Sequence, residues 1–339
     1  MSFRFPPALA IMAVFAVLPA RAQSPADVFR GQTLRVVIPS APGGGRVFYT
    51  LPVIEFLGRH LPGKPTVQPV FMPGAGGSLA INYAYNAAPR DGLTIVTPLV
   101  AAATSQAVAE ESVKYDLNKM SWIGRTADAT RVLFVWHTVA AKTIDDLRGR
   151  ELIAGSAGRA SDTFTNPALM NRFLGTKFKI VVGYKSAVDV NQAVENRETD
   201  AATTTWSDLI NLRVDWVRDK KIRVLAQIGL TKLADLPDIP LLDDLVSSED
   251  DRRTLEFMSS SSEIGEGFVA PPDTPRPVVE ALRRGFDETM RDPEFLAAAR
   301  KLDLLINPRT GEQMSEISAR IVNAPKAVVE RYLAALKID

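Results

Sequence analysis

The chain has 339 residues, with 40 lysines and arginines against 39 acids, two histidines and no cysteine. The missing cysteines exclude thiol nucleophiles and thiolate metal sites. The near-neutral mixture of charges gives no electrostatic case for nucleic acid or an anionic membrane surface as partner.

The chain opens with Arg4, an unbroken apolar run from Ala8 to Leu18, the breaker Pro19, and Ala20-Arg21-Ala22 ahead of Gln23. A basic start, an apolar stretch and an A-x-A cleavage site are the three parts of a secretory signal peptide, here residues 1–22. The apolar run is too short to span a bilayer, which needs about 20 residues. Cleavage would remove Arg4 and Arg21 and no acid, moving the formal charge from +1 to −1. A periplasmic location follows as an expectation. What remains is long for a single core, because cores stop growing beyond roughly 250–300 residues. Two domains are expected.

Short β-branched runs then alternate with helical patterns. Thr33–Pro39, Thr66–Phe71 and Leu93–Thr97 read as strands, and Phe48–His60 and Ser78–Ala87 carry apolar residues at helical spacing. Strand, helix, strand, helix predicts a parallel α/β sheet. Past Trp136 the alternation resumes. Thr143 with Asp146 three residues on predicts a capped helix start. Leu152–Ala154, Lys179–Val182, Asp200–Thr204 and Arg223–Ile228 are further strand candidates. Thr231–Pro240 is the longest irregular connection. Thr274-Pro275 and Asp292-Pro293 read as caps followed by an N1 proline, and Val278, Leu282 and Phe286 form a helical stripe.

Two glycine-rich turns carry the functional signal. Ser40-Ala41-Pro42-Gly43-Gly44-Gly45-Arg46 follows the first strand, and Pro73-Gly74-Ala75-Gly76-Gly77-Ser78 follows the second. Each leads from a strand into a helix. The first amides of a helix lack internal partners and its dipole favours negative charge, so such turns suit an anion. Loops at the carboxyl ends of strands are also where open α/β sheets bind ligands. Neither turn fits G-x-x-x-x-G-K-[ST] or G-x-G-x-x-G, which disfavours a nucleotide. A third loop, Gly155 to Thr163, offers Ser156, Ser161 and Asp162, and two later strand ends place Tyr184 and Trp206 as candidate pocket aromatics. His60 and His137 stand apart in sequence without a metal-ligand spacing, and there is no G-x-S-x-G elbow or S-x-x-K. No cofactor is called for.

The fragments, in order, resemble the substrate-binding receptors of tripartite tricarboxylate transporters, the Bug receptors. The resemblance rests on Pro39 to Gly44, Pro73-Gly-Ala-Gly-Gly77 and Ala88-Pro-Arg-Asp-Gly-Leu-Thr94. It continues through Gly155-Ser156, Val182-Gly-Tyr-Lys185, Leu236-Pro-Asp-Ile-Pro240, Phe268 to Pro275 and Asp292-Pro-Glu-Phe295. It implies a type II periplasmic-binding-protein fold, α/β, with two lobes joined by two crossover strands, placed near Val132–Trp136 and Gly267–Ala270. Lobe one would be 23–131 plus 267–339 and lobe two 132–266. It further implies a carboxylate held by main-chain amides between the two Gly-rich loops, lobe two closing over it, and delivery by a monomer to membrane permease subunits on separate chains. The family's usual Asp and Arg after the first loop are replaced by Val47 and Leu51, Pro52 interrupts the helix, and Arg46 adds a cation. Arg46 and Arg159 are the only cations in these loops, so a mono- or dicarboxylate is expected over a tricarboxylate. A sensory or orphan receptor feeding a signalling partner is the alternative, and a secreted hydrolase the remoter one.

Overall fold

The computed structural model describes residues 24–42, 45–159 and 161–337; the expected signal peptide and the Gly43-Gly44 pair lie outside them. Eleven strands are described: β1 (Thr33–Ile38), β2 (Thr66–Phe71), β3 (Thr94–Val96), β4 (Ser121–Arg125), β5 (Arg131–Trp136), β6 (Glu151–Ser156), β7 (Lys177–Val182), β8 (Ala201–Thr205), β9 (Ile222–Ile228), β10 (Gly267–Ala270) and β11 (Arg309–Thr310). They form two sheets, ordered β11-β4-β10-β3-β1-β2 and β7-β6-β8-β5-β9.

In the first sheet β1 is flanked by β2 and β3 in parallel, while β10 is inserted antiparallel between β3 and β4. In the second, β6 runs parallel to β7 and β8, and β5 lies antiparallel between β8 and β9. Both sheets are covered on both faces, so apolar residues on both faces of their central strands are buried. Along β1, Leu34, Val36 and Ile38 enter one core and Val37 the opposite one. Along β5, Leu133 and Val135 face one core while Val132, Phe134 and Trp136 face the other. The two-residue period of a strand divides each run between two layers.

The chain crosses between sheets at 126–130, just ahead of the Val132–Trp136 segment expected to cross, and β5 lies wholly in the second sheet. It returns through 229–266, which includes the helix Glu249–Ser259. The two crossings hydrogen-bond to each other: Thr126 N–H donates to Glu266 O at 3.0 Å, Glu266 N–H to Ala127 O at 2.8 Å, and Ala129 N–H to Ser262 O at 3.0 Å. Gly265 is required there, since a Cβ would stand 2.1 Å from Ala127 O.

Local signals mostly mark the right ends. Thr143 and Asp146 form a capping box, and Asp292 accepts from Glu294 N–H at the start of Pro293–Lys301. Val278, Leu282 and Phe286 are buried on the helix Arg276–Arg291. That helix starts after Pro275 rather than at a Thr274 cap, because the Thr274 hydroxyl donates back to Pro271 O. The helix Gly45–His60 runs through Pro52, which is buried. The last helix, Lys326–Ala335, touches both halves: Val328 and Val329 pack on the first sheet's core, Ala335 and Leu336 on the second's.

Candidate functional site

The carboxyl ends of β1, β2 and β3 face the loop after β6 across a cleft of about 740 Å³. From the first sheet's side it is lined by Arg46, Ala75, Ser78 and the Leu99–Ala101 segment, and from the second's by Arg131, Ala157 to Arg159, Ser161 and Asp162. Ser105, Glu110, Ser112 and Tyr115, in the stretch after β3, complete it.

The second bend is built by left-handed backbone. Gly74, Ala75 and Gly77 have φ of 139°, 47° and 95°, a region that glycine enters freely and alanine at a cost. The bend spends part of its donor set on itself. Gly77 N–H reaches Gly74 O at 2.7 Å, Ser78 N–H reaches Ala75 O, and Leu79 N–H points to Gly74 O. Among the described residues the N–H groups of Ser40, Ala41 and Ala75 have no partner. The helix Gly45–His60 starts at this wall with no acid in its first turn, so its leading amides lack both helical partners and a neutralising side chain.

The facing wall is organised differently. Ser161 caps the helix Asp162–Leu174, with Asp162 in its first turn. Ser161 and Thr163 hydroxyls are 2.9 Å apart, and Thr163 Oγ1 also accepts from Ala157 N–H. The Asp162 carboxylate lies 2.5 Å from Arg131 Nη2. Arg159 forms no ion pair among the described residues; its guanidinium lies over the Phe164 ring at 5.3 Å.

Arg46 ties the first bend to the crossing. Its Nη1 is 2.9 Å from the buried Glu266 carboxylate, and both Nη groups point to Gly265 O at 3.4 Å. Burial pushes the Glu266 carboxyl up, and Arg46 opposes that shift. Asp208, half-buried, is pushed up by the same loss of water, opposed by a hydrogen bond from Thr205 and by the charge of Arg131. Two ion pairs therefore stand at this cleft, Arg46 with Glu266 and Arg131 with Asp162.

Of the residues read from sequence, Arg46, Ala75, Ser161 and Asp162 line this space, with Gly76 and Gly77 continuing the bend of Ala75. Ser40 follows β1 with its hydroxyl buried and unpartnered among the described residues. Ala41 and Pro42 are exposed, and Gly45 opens the helix. Ser156 is fully buried beneath the facing loop, bonded to Gly158. Tyr184 stacks over Gly155, 3.1 Å from where a Cβ would stand, and is not part of the lining. Trp206 is a core aromatic beside the crossing, its Nε1 donating to Asp235 at 2.9 Å. His60 ends its helix against Asp292 at 2.9 Å, and His137 follows β5 beside Trp136. Val47 is buried in the first core and Leu51 is exposed, so neither brings charge to the cleft. Sequence reasoning missed Arg131, Glu110 and the loop after β3. The strand-end rule that found the first two bends would have found that loop also, but nothing local marks Arg131.

The tripartite tricarboxylate transporter family receptor, TctC, matches residues 64–332. The chain belongs to this receptor family. A UPF0065 protein from Cupriavidus necator is 24% identical over 325 residues, covering 93% of this chain and 91% of that protein. Among solved structures, the periplasmic binding protein BugD superposes with a TM-score of 0.67 at 18% identity, covering 91% of this chain and 98% of that one. MatC from Rhodopseudomonas palustris, solved with bound malate, gives 0.65 at 15% identity, covering 91% and 100%. These likenesses establish the fold as that of a periplasmic binding protein and the chain as a solute-binding receptor by family.

Proposed function

We propose that the chain is an exported receptor, released from a signal peptide at 1–22, that captures a mono- or dicarboxylate between its lobes. On this reading 23–131 with 267–339 forms one lobe and 132–266 the other, turning about the paired crossings. The loaded monomer passes its ligand to membrane permease subunits on separate chains. The single observation that carries the reading is the first sheet's side of the cleft, where Ala75 lines the space and its N–H, like those of Ser40 and Ala41 after β1, finds no acceptor among the described residues, close to a helix with no acid in its first turn. Unpaired donors at a helix start are most simply completed by an anion. The malate in MatC supports the choice of a small carboxylate.

Charge-assisted hydrogen bonds contribute about 1.5–3 kcal/mol each. Three of them fall near the −8 kcal/mol of a micromolar complex before association costs are met. Closure must supply the rest, with Arg131, Arg159 and Ser161 as the facing contacts. A thermal-shift series with acetate, octanoate, succinate, malate, adipate and citrate tests the reading. A ligand at 100 times its Kd stabilises by about 2.7 kcal/mol, which raises Tm by several degrees in a protein of this size. A shift with at least one of the mono- or dicarboxylates is expected. No shift with any acid overturns the receptor reading, and a shift with citrate alone reverses the preferred class.

A further inference from the structure

The cleft does not end at the glycine-rich bends. A second chamber of about 350 Å³ opens off it, sharing Ala101, Ser105, Glu110, Arg131, Arg159 and Asp162 as a common wall. Among the described residues every charged member of the chamber's lining lies in that wall. Beyond it the described lining is uncharged, and its apolar part is Val108, Ile228, Met258, Tyr332, Leu333 and Leu336. These side chains come from the segment after β3, the end of β9, the helix Glu249–Ser259 and the last helix, Lys326–Ala335, with the residue that follows it. Leu333 remains 39% exposed although it faces this space.

We propose that the ligand is an amphipathic monocarboxylate, its head at the charged wall and its apolar body in this chamber. The inference rests on the receptor reading above and narrows it. The head belongs at the junction because Arg159, with no ion pair among the described residues, lies in the shared wall, and the adjoining cleft is lined by Ala75, whose N–H finds no acceptor among the described residues. The body belongs in the chamber because apolar surface buried against Leu333, Met258 and Ile228 leaves water on both sides. A second carboxylate at the far end would be buried with no cation to meet it, which disfavours long diacids.

Isothermal titration of the purified protein with butanoate, octanoate and octanedioate decides the matter. Each buried methylene tightens binding about fourfold, so octanoate should bind on the order of 100-fold tighter than butanoate, and octanedioate weaker than octanoate. Leu333→Asp should remove the gain with chain length and leave butanoate unchanged; Val108→Asn, from the segment after β3, should do the same. Affinity independent of chain length, octanedioate binding as tightly as octanoate, or octanoate binding unmoved by both variants overturns the chamber assignment. If short acids bind and octanoate does not, only this inference falls. If no acid binds, the receptor reading falls with it.

Discussion

The two walls of the cleft are both strand-to-helix turns, yet they are finished in opposite ways. At the first sheet the helix Gly45–His60 begins without an acidic residue, and three nearby amides find no partner among the described residues. Across the cleft the helix Asp162–Leu174 begins with a serine cap and its own carboxylate, and its hydroxyls are bonded to one another. One wall has main-chain donors to spare and an arginine, Arg46, tied to Glu266, whereas the other has already satisfied its helix end and adds Arg131 and Arg159. A Gly-rich turn and a capped turn at equivalent strand ends therefore differ in kind: the first offers the main chain to an anion, the second offers charge.

That contrast can be broken most severely at the first wall. Gly77→Val would place a Cβ 2.6 Å from Leu99 Cδ2 at a φ of 95°, which a β-branched residue adopts only with strain. Carboxylate binding by calorimetry should weaken by about 100-fold, corresponding to about 2.7 kcal/mol; an unchanged affinity would show that the bend is not a ligand contact. At the second wall, Arg131→Gln leaves the Asp162 carboxylate in the cleft without its 2.5 Å partner. Truncating one member of a partly buried pair exposes the other's charge to the site. Affinity for an anion should fall by roughly tenfold to thirtyfold, about 1.4–2 kcal/mol, and a loss that vanishes in the Arg131→Gln, Asp162→Asn double variant would assign it to the freed carboxylate. The smallest effect sharpens the comparison. Asp162→Asn alone removes a negative charge from the cleft and from a helix start, so anion affinity should rise by a few fold while the helix loses about 0.5 kcal/mol. Urea melts read beside binding isotherms would separate the two, and weaker anion binding would contradict the division of labour between the walls.

Legibility was uneven for physical reasons. The alternation of β-branched runs with helical spacing placed β1, β2, β3, β6, β7, β8 and β9 close to their observed positions, since those strands need only apolar residues at adjacent positions. β4 and β11 carried no comparable signal. β11 is two residues long, and β4 (SWIGR) mixes a serine, a glycine and an arginine into a strand whose burial comes from neighbours distant in sequence. Aromatics misled as pocket candidates because size alone does not say which face a residue takes. Trp206 went to a core beside the crossing and Tyr184 to a glycine on the second sheet.

By itself, then, the order of residues determined that two glycine-rich bends would follow successive parallel strands, that helices would begin where caps and prolines stand, and that the chain would fall into an α/β receptor family. Those are local matters of backbone freedom and period. Only the tertiary structure decided which loops meet. Arg131 reaches Asp162, Arg46 reaches Glu266 across 220 residues of chain, and the last helix arrives beside the cleft to wall a chamber. Such encounters depend on how two sheets and their crossings pack, and no spacing along the chain encodes the distance between them.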